Sequence, residues 1–301
     1  MVPDNRQQAY QGDEKTLGRA RGTARIAGVH WRNGQANRRD IFMTARQVIY
    51  ERDDDMVVIT IDRPERRNAV NAATARELDG CFTRFENDHG ARVAVLTGAG
   101  DTFCAGADLA AIADGEDASA RVQMGEIGPM GPTRRMLTKP VIAAVEGHAV
   151  AGGLELACWC DLRVAALGAV FGVFCRRVGV PLVDGGTVRL PRLIGQSRAM
   201  DMILTGREVS ATEALDIGLV NRLVEDGKVL ETAMSLARAL AGLPPQCLVG
   251  DRLSLLQQWS LDEAAALDNE LRHGQATIRS GEPMKGAAEF VQGRRQRSGG
   301  D

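Results

Sequence analysis

Between Pro140 and Ala166 lies the longest apolar stretch of the chain, and the few polar residues inside it decide what the stretch can become. Glu146, His148, Glu155, Asp161 and Arg163 interrupt it, which is too much charge for a helix in hydrocarbon, so no transmembrane segment is indicated. The run reads instead as a strand at 141–145, a helix near 152–159 and a second strand at 162–165. A strand followed by a helix and another apolar strand is the grammar of a mainly parallel sheet with helical cover.

The same grammar extends upstream. Val48-Ile49-Tyr50 and Met56 to Ile61, separated by three aspartates, read as two antiparallel strands across a tight turn. Asn71 is placed to cap a helix whose Leu78, Cys81, Phe82 and Phe85 recur on one face. Arg92 to Thr97 suits a strand covered on both faces, and a helical stretch is expected around 119–137. Past about residue 195 the strand signal thins to Leu219–Val224 and helices take over. Two capping boxes, Ser210 to Glu213 and Ser260 to Glu263, mark helix starts. Apolar stripes follow at Leu230, Ala233, Met234, Ala237 and Leu240, and at Ala264, Leu267 and Leu271; each serves either the core or contact with another subunit.

With 301 residues, 44% hydrophobic and 25% charged, the chain has material for a substantial core, which excludes collagen-like and wholly disordered readings. A net charge of -2 lacks the basic excess that accompanies phosphate-backbone binding, so nucleic acid is a poor expectation. The six cysteines, at 81, 104, 158, 160, 175 and 247, form no C-x-x-C pair, and the four histidines are isolated. Neither a disulfide framework nor a metal site is expected, and a reducing cytoplasm fits best. Residues 1–42, rich in Arg, Gln, Gly and Asp without periodicity, read as a disordered extension; Met43 is an alternative natural start.

Two glycine-bearing segments fall where strands give way to helices: Phe103 to Leu109 and Gly147 to Glu155. Backbone N–H groups at such junctions lack partners and can hold an anion or a developing oxyanion, while small residues keep the approach open. Neither segment carries the dinucleotide or P-loop fingerprint. Glu155 stands among apolar or small neighbours, so its carboxylate must be paired, neutral or functional, unless it simply turns to water. Desolvation would favour the neutral acid and suit acid/base work.

Four ordered segments carry a family resemblance: Arg63 to Ala69, Phe103 to Leu109, Lys139 to Gly147, and Leu204 to Arg207 followed by Glu213 to Val220. Over about residues 46–293 the chain resembles the enoyl-CoA hydratase/isomerase, or crotonase, superfamily. The resemblance implies an α/β fold of repeated β-β-α units wound as a superhelix, with a core at 43–195 holding an acyl-CoA site. It further implies a helical oligomerisation region at 196–293 that drives trimers, often a dimer of trimers, ahead of a flexible basic tail at 294–301. Coenzyme A enters as part of the thioester substrate rather than as a cofactor, in acyl-CoA and fatty-acid metabolism, with no membrane partner.

By motif, the two amides that hold the thioester oxygen fall on Ala107 and Gly152, and the first glutamate of the hydratases falls on Glu155. Cys104, Ala105, Gly106, Asp108, Leu109 and Gly153 fall on substrate-binding positions, and Cys175 stands where the hydratases carry their second glutamate. That substitution puts two-glutamate hydration in doubt. Asp184, in the following loop, is the replacement acid or else an ordinary cap for the helix beginning at Gly185. Arg176 and Arg177 pair with Asp184, meet CoA phosphates or face solvent, and His148 is more often structural. Phe290 and Arg294-Arg295 resemble the region that closes over CoA. The expected activity is that of an acyl-CoA lyase or isomerase, nominally an enoyl-CoA hydratase. The alternatives are an isomerase using Glu155 with or without Asp184, and a non-catalytic member of the fold that holds acyl-CoA or RNA.

Overall fold

Asp54, at φ 56°, turns the chain between β1 (Val48–Asp53) and β2 (Met56–Ile61), which pair antiparallel with Val48 opposite Ile61. Aspartate is among the few residues that tolerate this left-handed backbone. These elements belong to a computed structural model that describes residues 46–115, 125 and 127–293. The expected extension at 1–42, residues 119–124 and 126 of the expected helix, and the tail at 294–301 with Arg294 and Arg295 lie outside the described residues.

Helix α1 (Ala72–Asn87) starts where expected: the Asn71 side chain accepts from the Thr74 amide, and Leu78, Phe82 and Phe85 are buried against the sheet. The apolar run of β3 (Val93–Gly98) follows, then a short α2 (Leu109–Ala113) capped by Asp108. Next come β4 (Val141–Val145), β5 (His148–Val150), α3 (Gly152–Trp159), β6 (Leu162–Ala166) and β7 (Val170–Gly172). A 3-10 turn at Phe174–Val178 leads to α4 (Gly186–Ile194), α5 (Gln196–Thr205), β8 (Val209–Ser210), α6 (Ala211–Asp216) and β9 (Arg222–Val224). The chain ends in α7 (Val229–Ala241), α8 (Pro245–Gln257), α9 (Glu263–Arg279) and α10 (Glu282–Val291).

The main sheet runs β1-β2-β3-β4-β6-β9, parallel from β2 onward, and a smaller sheet runs β5-β7-β8. Twice, a strand of the large sheet is followed by a strand of the small one and then by helix, first β4-β5-α3 and then β6-β7 with the 3-10 turn. The two glycine-bearing junctions are tied to their neighbours by isolated bridges, Cys104 to Ala149 and Ala107 to Val70.

Most of the polar residues in the apolar stretch have structural work. Arg163 is 2% exposed, and its guanidinium donates to the carbonyls of Leu219, Cys160 and Ala157 at 2.6, 2.7 and 3.1 Å. Asp161 accepts the Val141 amide and faces Arg252, Glu146 accepts the Gly227 amide, and His148 is exposed. Of the five, Glu155 lines the cavity described below.

Several expectations are corrected here. Residues 127–137 are no helix: Gly128 and Gly131 exchange backbone bonds at 2.8 Å in a tight reversal, followed by a 3-10 turn at Pro132–Arg134. Prolines at 129 and 132 and glycines at 128 and 131 forbid the helix. Glu213 does not complete a capping box, because its carboxylate meets Arg207; the Ser210 hydroxyl does accept the Glu213 amide. Asp262 rather than Ser260 caps α9, Ser260 having closed a preceding 3-10 turn. The strand at 219–224 shrinks to 222–224, since the Leu219 and Val220 amides close the end of α6. The first stripe divides: Ala233 and Ala237 are buried while Leu230 is exposed. In the second, Leu267 and Leu271 are exposed. No helix among the described residues is long and apolar enough to cross a membrane.

Candidate active site

One cavity of about 520 Å³ lies where the two junctions meet. Its walls are largely apolar, with Leu109, Ile112, Met130, Phe174, Val178 and Val180 prominent, and Glu155, Cys175 and Asp184 supply most of its chemistry.

The first wall is backbone. The Gly106-Ala107 peptide and the Gly152 amide approach so closely that a Cβ on Gly106 would sit 2.9 Å from the Gly152 nitrogen. Gly106, at φ 96°, therefore needs its missing side chain twice over, for conformation and for space. Ala107 and Gly152 both line the cavity, and neither amide donates a hydrogen bond within the described residues. Ala151 takes φ 54°, a left-handed conformation rare for alanine, and so turns the first amides of α3 toward the cavity.

The first junction is braced from the Arg63 to Ala69 segment. Arg63 Nη2 donates to Asp108 Oδ2 at 2.8 Å and Nη1 to the Ala69 carbonyl. The Asn68 side chain donates to the Ala99 and Thr102 carbonyls, and the Ala105 amide donates to the Arg67 carbonyl. Asp108, 5% exposed, also caps α2 through the Ala111 amide. Burial pushes its carboxyl up, but the Arg63 hydrogen bond, the Ala111 amide and the charges of Arg63 and Arg66 outweigh this and leave it below the usual value.

The second wall is acidic. Glu155, in the first turn of α3 and 3% exposed, accepts the Asp184 and Gly186 amides at 2.9 and 2.8 Å on one oxygen, Oε1. Burial and then the nearby Asp184 charge push its carboxyl up from 4.5 to about 7, against the pull of those two amides. Asp184, 3% exposed, does not cap α4, where Gly185 holds the cap position without a side chain. Its Oδ1 accepts the Met130 amide at 3.0 Å and the Thr133 hydroxyl. Cys175, also buried, lines the cavity; burial and then the Glu155 charge push its thiol up, keeping it neutral.

Of the residues expected at the site, Ala105, Ala107, Leu109, Gly152, Glu155, Cys175 and Asp184 line the cavity. Cys104, Gly106, Asp108 and Gly153 lie outside that lining; a Cβ on Gly153 would strike the Cys104 backbone, so this glycine lets the junctions pack. His148 is absent from the lining. Neither Arg176 nor Arg177 pairs with Asp184: their Nε groups donate to the Ile203 and Gly206 carbonyls, and Arg177 stacks over Phe174 while lining the cavity. Phe290, on α10, is exposed. Met130, Thr133 and Arg189 were not anticipated, although the Gly-Pro-Met-Gly-Pro-Thr run is a turn signal strong enough to have broken the expected helix.

Comparison with known proteins agrees with this geometry. The sequence model of the enoyl-CoA hydratase/isomerase family matches residues 51–298. The short-chain-enoyl-CoA hydratase of Clostridium acetobutylicum is 37% identical over 232 residues, covering 76% of this chain and 88% of that protein. The carnitinyl-CoA dehydratase of Salmonella arizonae is 36% identical, covering 81% of this chain and 94% of that protein. The crystal structure of enoyl-CoA hydratase EchA1 from Mycobacterium marinum superposes with a TM-score of 0.77 at 37% identity, covering 83% of this chain and 98% of that one. Sequence, architecture and cavity thus coincide, and the chain belongs to the enoyl-CoA hydratase/isomerase family of the crotonase superfamily.

Proposed function

We propose that the protein is an acyl-CoA lyase/isomerase whose principal activity is enoyl-CoA hydration, carried by Glu155 and Asp184 beneath the Ala107 and Gly152 amides. The observation that carries this reading is the pairing, in one apolar cavity, of two unpartnered amides with a glutamic acid titrating at about 7 beside a second carboxylate.

The thioester carbonyl sits between the two amides, each worth ~3 kcal/mol against the developing oxyanion. Asp184 takes a proton from a water whose oxygen bonds to C3. The C2–C3 π electrons move onto the thioester oxygen as an enolate, and Glu155 delivers its proton to C2. Water adds across the double bond with no change of oxidation state, giving a 3-hydroxyacyl thioester. The apolar lining supports an apolar acyl chain. The exposed Leu267, Leu271, Ile278, Met284 and Val291 of α9 and α10 support assembly through the C-terminal helices.

A second reading, migration of a double bond between C3 and C2, is favoured by the neutral Cys175 thiol at the cavity wall, since a thiol positions water less well than a carboxylate. Incubation of purified protein with crotonyl-CoA, longer 2-enoyl-CoAs and 3-enoyl-CoAs separates the two. Hydration yields 3-hydroxyacyl-CoA from the first two, and isomerisation yields 2-enoyl-CoA from the third. No turnover of any, with ligand-induced stabilisation by acyl-CoA, would leave a binding protein. Unchanged turnover in Glu155→Ala would remove both chemistries.

A further inference from the structure

The segment at 128–134 reaches the acidic wall with an economy that the two-carboxylate reading does not by itself require. Gly131, at φ 90° and ψ -108°, completes the reversal that presents the Met130 amide, and the 3-10 turn immediately after it presents the Thr133 hydroxyl. Both converge on the same oxygen, Asp184 Oδ1. Thr133 and Met130 are each 1% exposed, so water does not compete for these bonds. The convergence leaves no room for a side chain at Gly128, whose Cβ would collide with Thr133 Oγ1 and Asp184 Oδ1. Arg189 of α4 fastens the two segments: Nη1 donates to the Asp184 carbonyl at 2.8 Å and Nη2 to the Thr133 carbonyl at 2.6 Å. Arg134 adds a bond to the Val183 carbonyl at 3.3 Å.

Two donors on one carboxylate oxygen favour the charged form of that carboxylate and fix its rotamer. Among the described residues, the charged groups near Asp184 include Glu155 from α3 and Arg189 from α4, with the Cys175 thiol on the same cavity wall and Arg134 bonded to the neighbouring Val183 carbonyl. Between two carboxyl groups that share a site, one ionises first and keeps the other protonated. Glu155 Oε1 likewise accepts two donors, the Asp184 and Gly186 amides, yet burial and the Asp184 charge still push its carboxyl up to about 7, so the donor that sets the two carboxyls apart is the Thr133 hydroxyl on Asp184.

Resting on the two-carboxylate reading of the cavity, we propose that Thr133 is a positioning residue that assigns the proton: its hydroxyl, with the Met130 amide, keeps Asp184 anionic as the base, so that Glu155 carries the proton as the acid. Thr133 is absent from the cavity lining and reaches the site through Asp184.

The test compares wild type with Thr133→Val and Thr133→Ser. In Thr133→Val the acidic limb of the pH profile of kcat/KM moves up by about one pH unit, the loss of one hydrogen bond to a charged group. On the acidic side of that limb kcat/KM falls about tenfold for that shift, while well above it the loss is small. Thr133→Ser restores both. A second readout does not need turnover: in protein labelled with carbon-13 at its aspartate carboxyls, the Asp184 resonance, assigned with Asp184→Asn, titrates at higher pH in Thr133→Val than in wild type. An unshifted profile and an unshifted resonance in a folded Thr133→Val protein overturn the proposal. So does a serine variant that behaves like the valine variant in both. If wild type turns over none of the enoyl thioesters, the functional reading fails while the carboxyl titration still decides the role of Thr133.

Discussion

Asp108 and Glu155 occupy similar places at the two strand-to-helix junctions, both buried and both at the start of a helix, yet the protein treats them oppositely. Asp108 has a guanidinium at 2.8 Å and a capping amide, and sits below the usual carboxyl range. Glu155 has two amides and a carboxylate neighbour, and rises to about 7. Burial is shared, so the difference rests on the charged neighbours: Arg63 and Arg66 beside Asp108, the Asp184 carboxylate beside Glu155. A cation converts a buried acid into a strut, and its omission leaves an acid able to exchange protons near neutral pH.

The largest separation between the two is expected in catalysis. Glu155→Gln keeps the shape and the amide acceptor but removes the titrating proton, so kcat/KM toward the accepted enoyl thioester should fall ~10³-fold, within the range of general acid/base contributions. Far-ultraviolet circular dichroism should be unchanged. A loss under tenfold in steady-state assays would place the proton elsewhere.

Asp108 should answer in stability instead. Asp108→Ala leaves the Arg63 guanidinium buried without its counter-ion, with an Arg63 side chain only 10% exposed. Breaking such a pair costs ~3–5 kcal/mol. Urea unfolding reads it directly, and a change under about 1 kcal/mol would mean that the pair is not the brace described here.

The pH dependence of unfolding sharpens the contrast from the other side. Since the folded state raises the Glu155 carboxyl from 4.5 to about 7, the fold prefers the neutral acid. That preference is fully present below about 4.5 and is lost as pH rises to about 7, an effect of about 3 kcal/mol. Glu155→Gln lacks the titration. Relative to wild type it should therefore gain stability between pH 4.5 and 7.5, by about 2–3 kcal/mol at the upper end. Parallel stability curves for the two proteins would show that Glu155 does not titrate there.

How far such features were legible differs between the two junctions. Strand and helix periodicity located β1 to β4, α1 and α3, because burial on one or both faces writes directly into residue spacing. The apolar neighbours of Glu155 mark it as a carboxylate in need of a partner or a role, and in the fold it is buried and lines the cavity. The family resemblance puts Asp108 among the substrate-binding positions, and its structural partner Arg63 lies 45 residues away, a distance that spacing cannot see. Spacing cannot choose between cap and acid for Asp184 either, because its partners Met130 and Thr133 lie 54 and 51 residues upstream, within the 119–137 stretch whose periodicity suggests helix. Local pattern reports which faces are buried, whereas long-range polar partners decide what a buried charge is for.

The smallest expected effect isolates position from chemistry. A Cβ on Gly186 would sit 3.0 Å from both Cγ and Oε1 of Glu155, a contact that yields only if the carboxyl shifts by a few tenths of an ångström. Gly186 opens α4 without a positive φ, so alanine there carries no backbone strain and reduces the freedom of the unfolded chain. Gly186→Ala should thus change unfolding free energy by less than ~1 kcal/mol. It should lower kcat several-fold, because misplacement of a proton donor by a fraction of its bond length weakens a transfer that depends on alignment. If kcat holds while stability falls, the amide cradle around Glu155 is a packing feature, and the contrast with Asp108 reduces to charge alone.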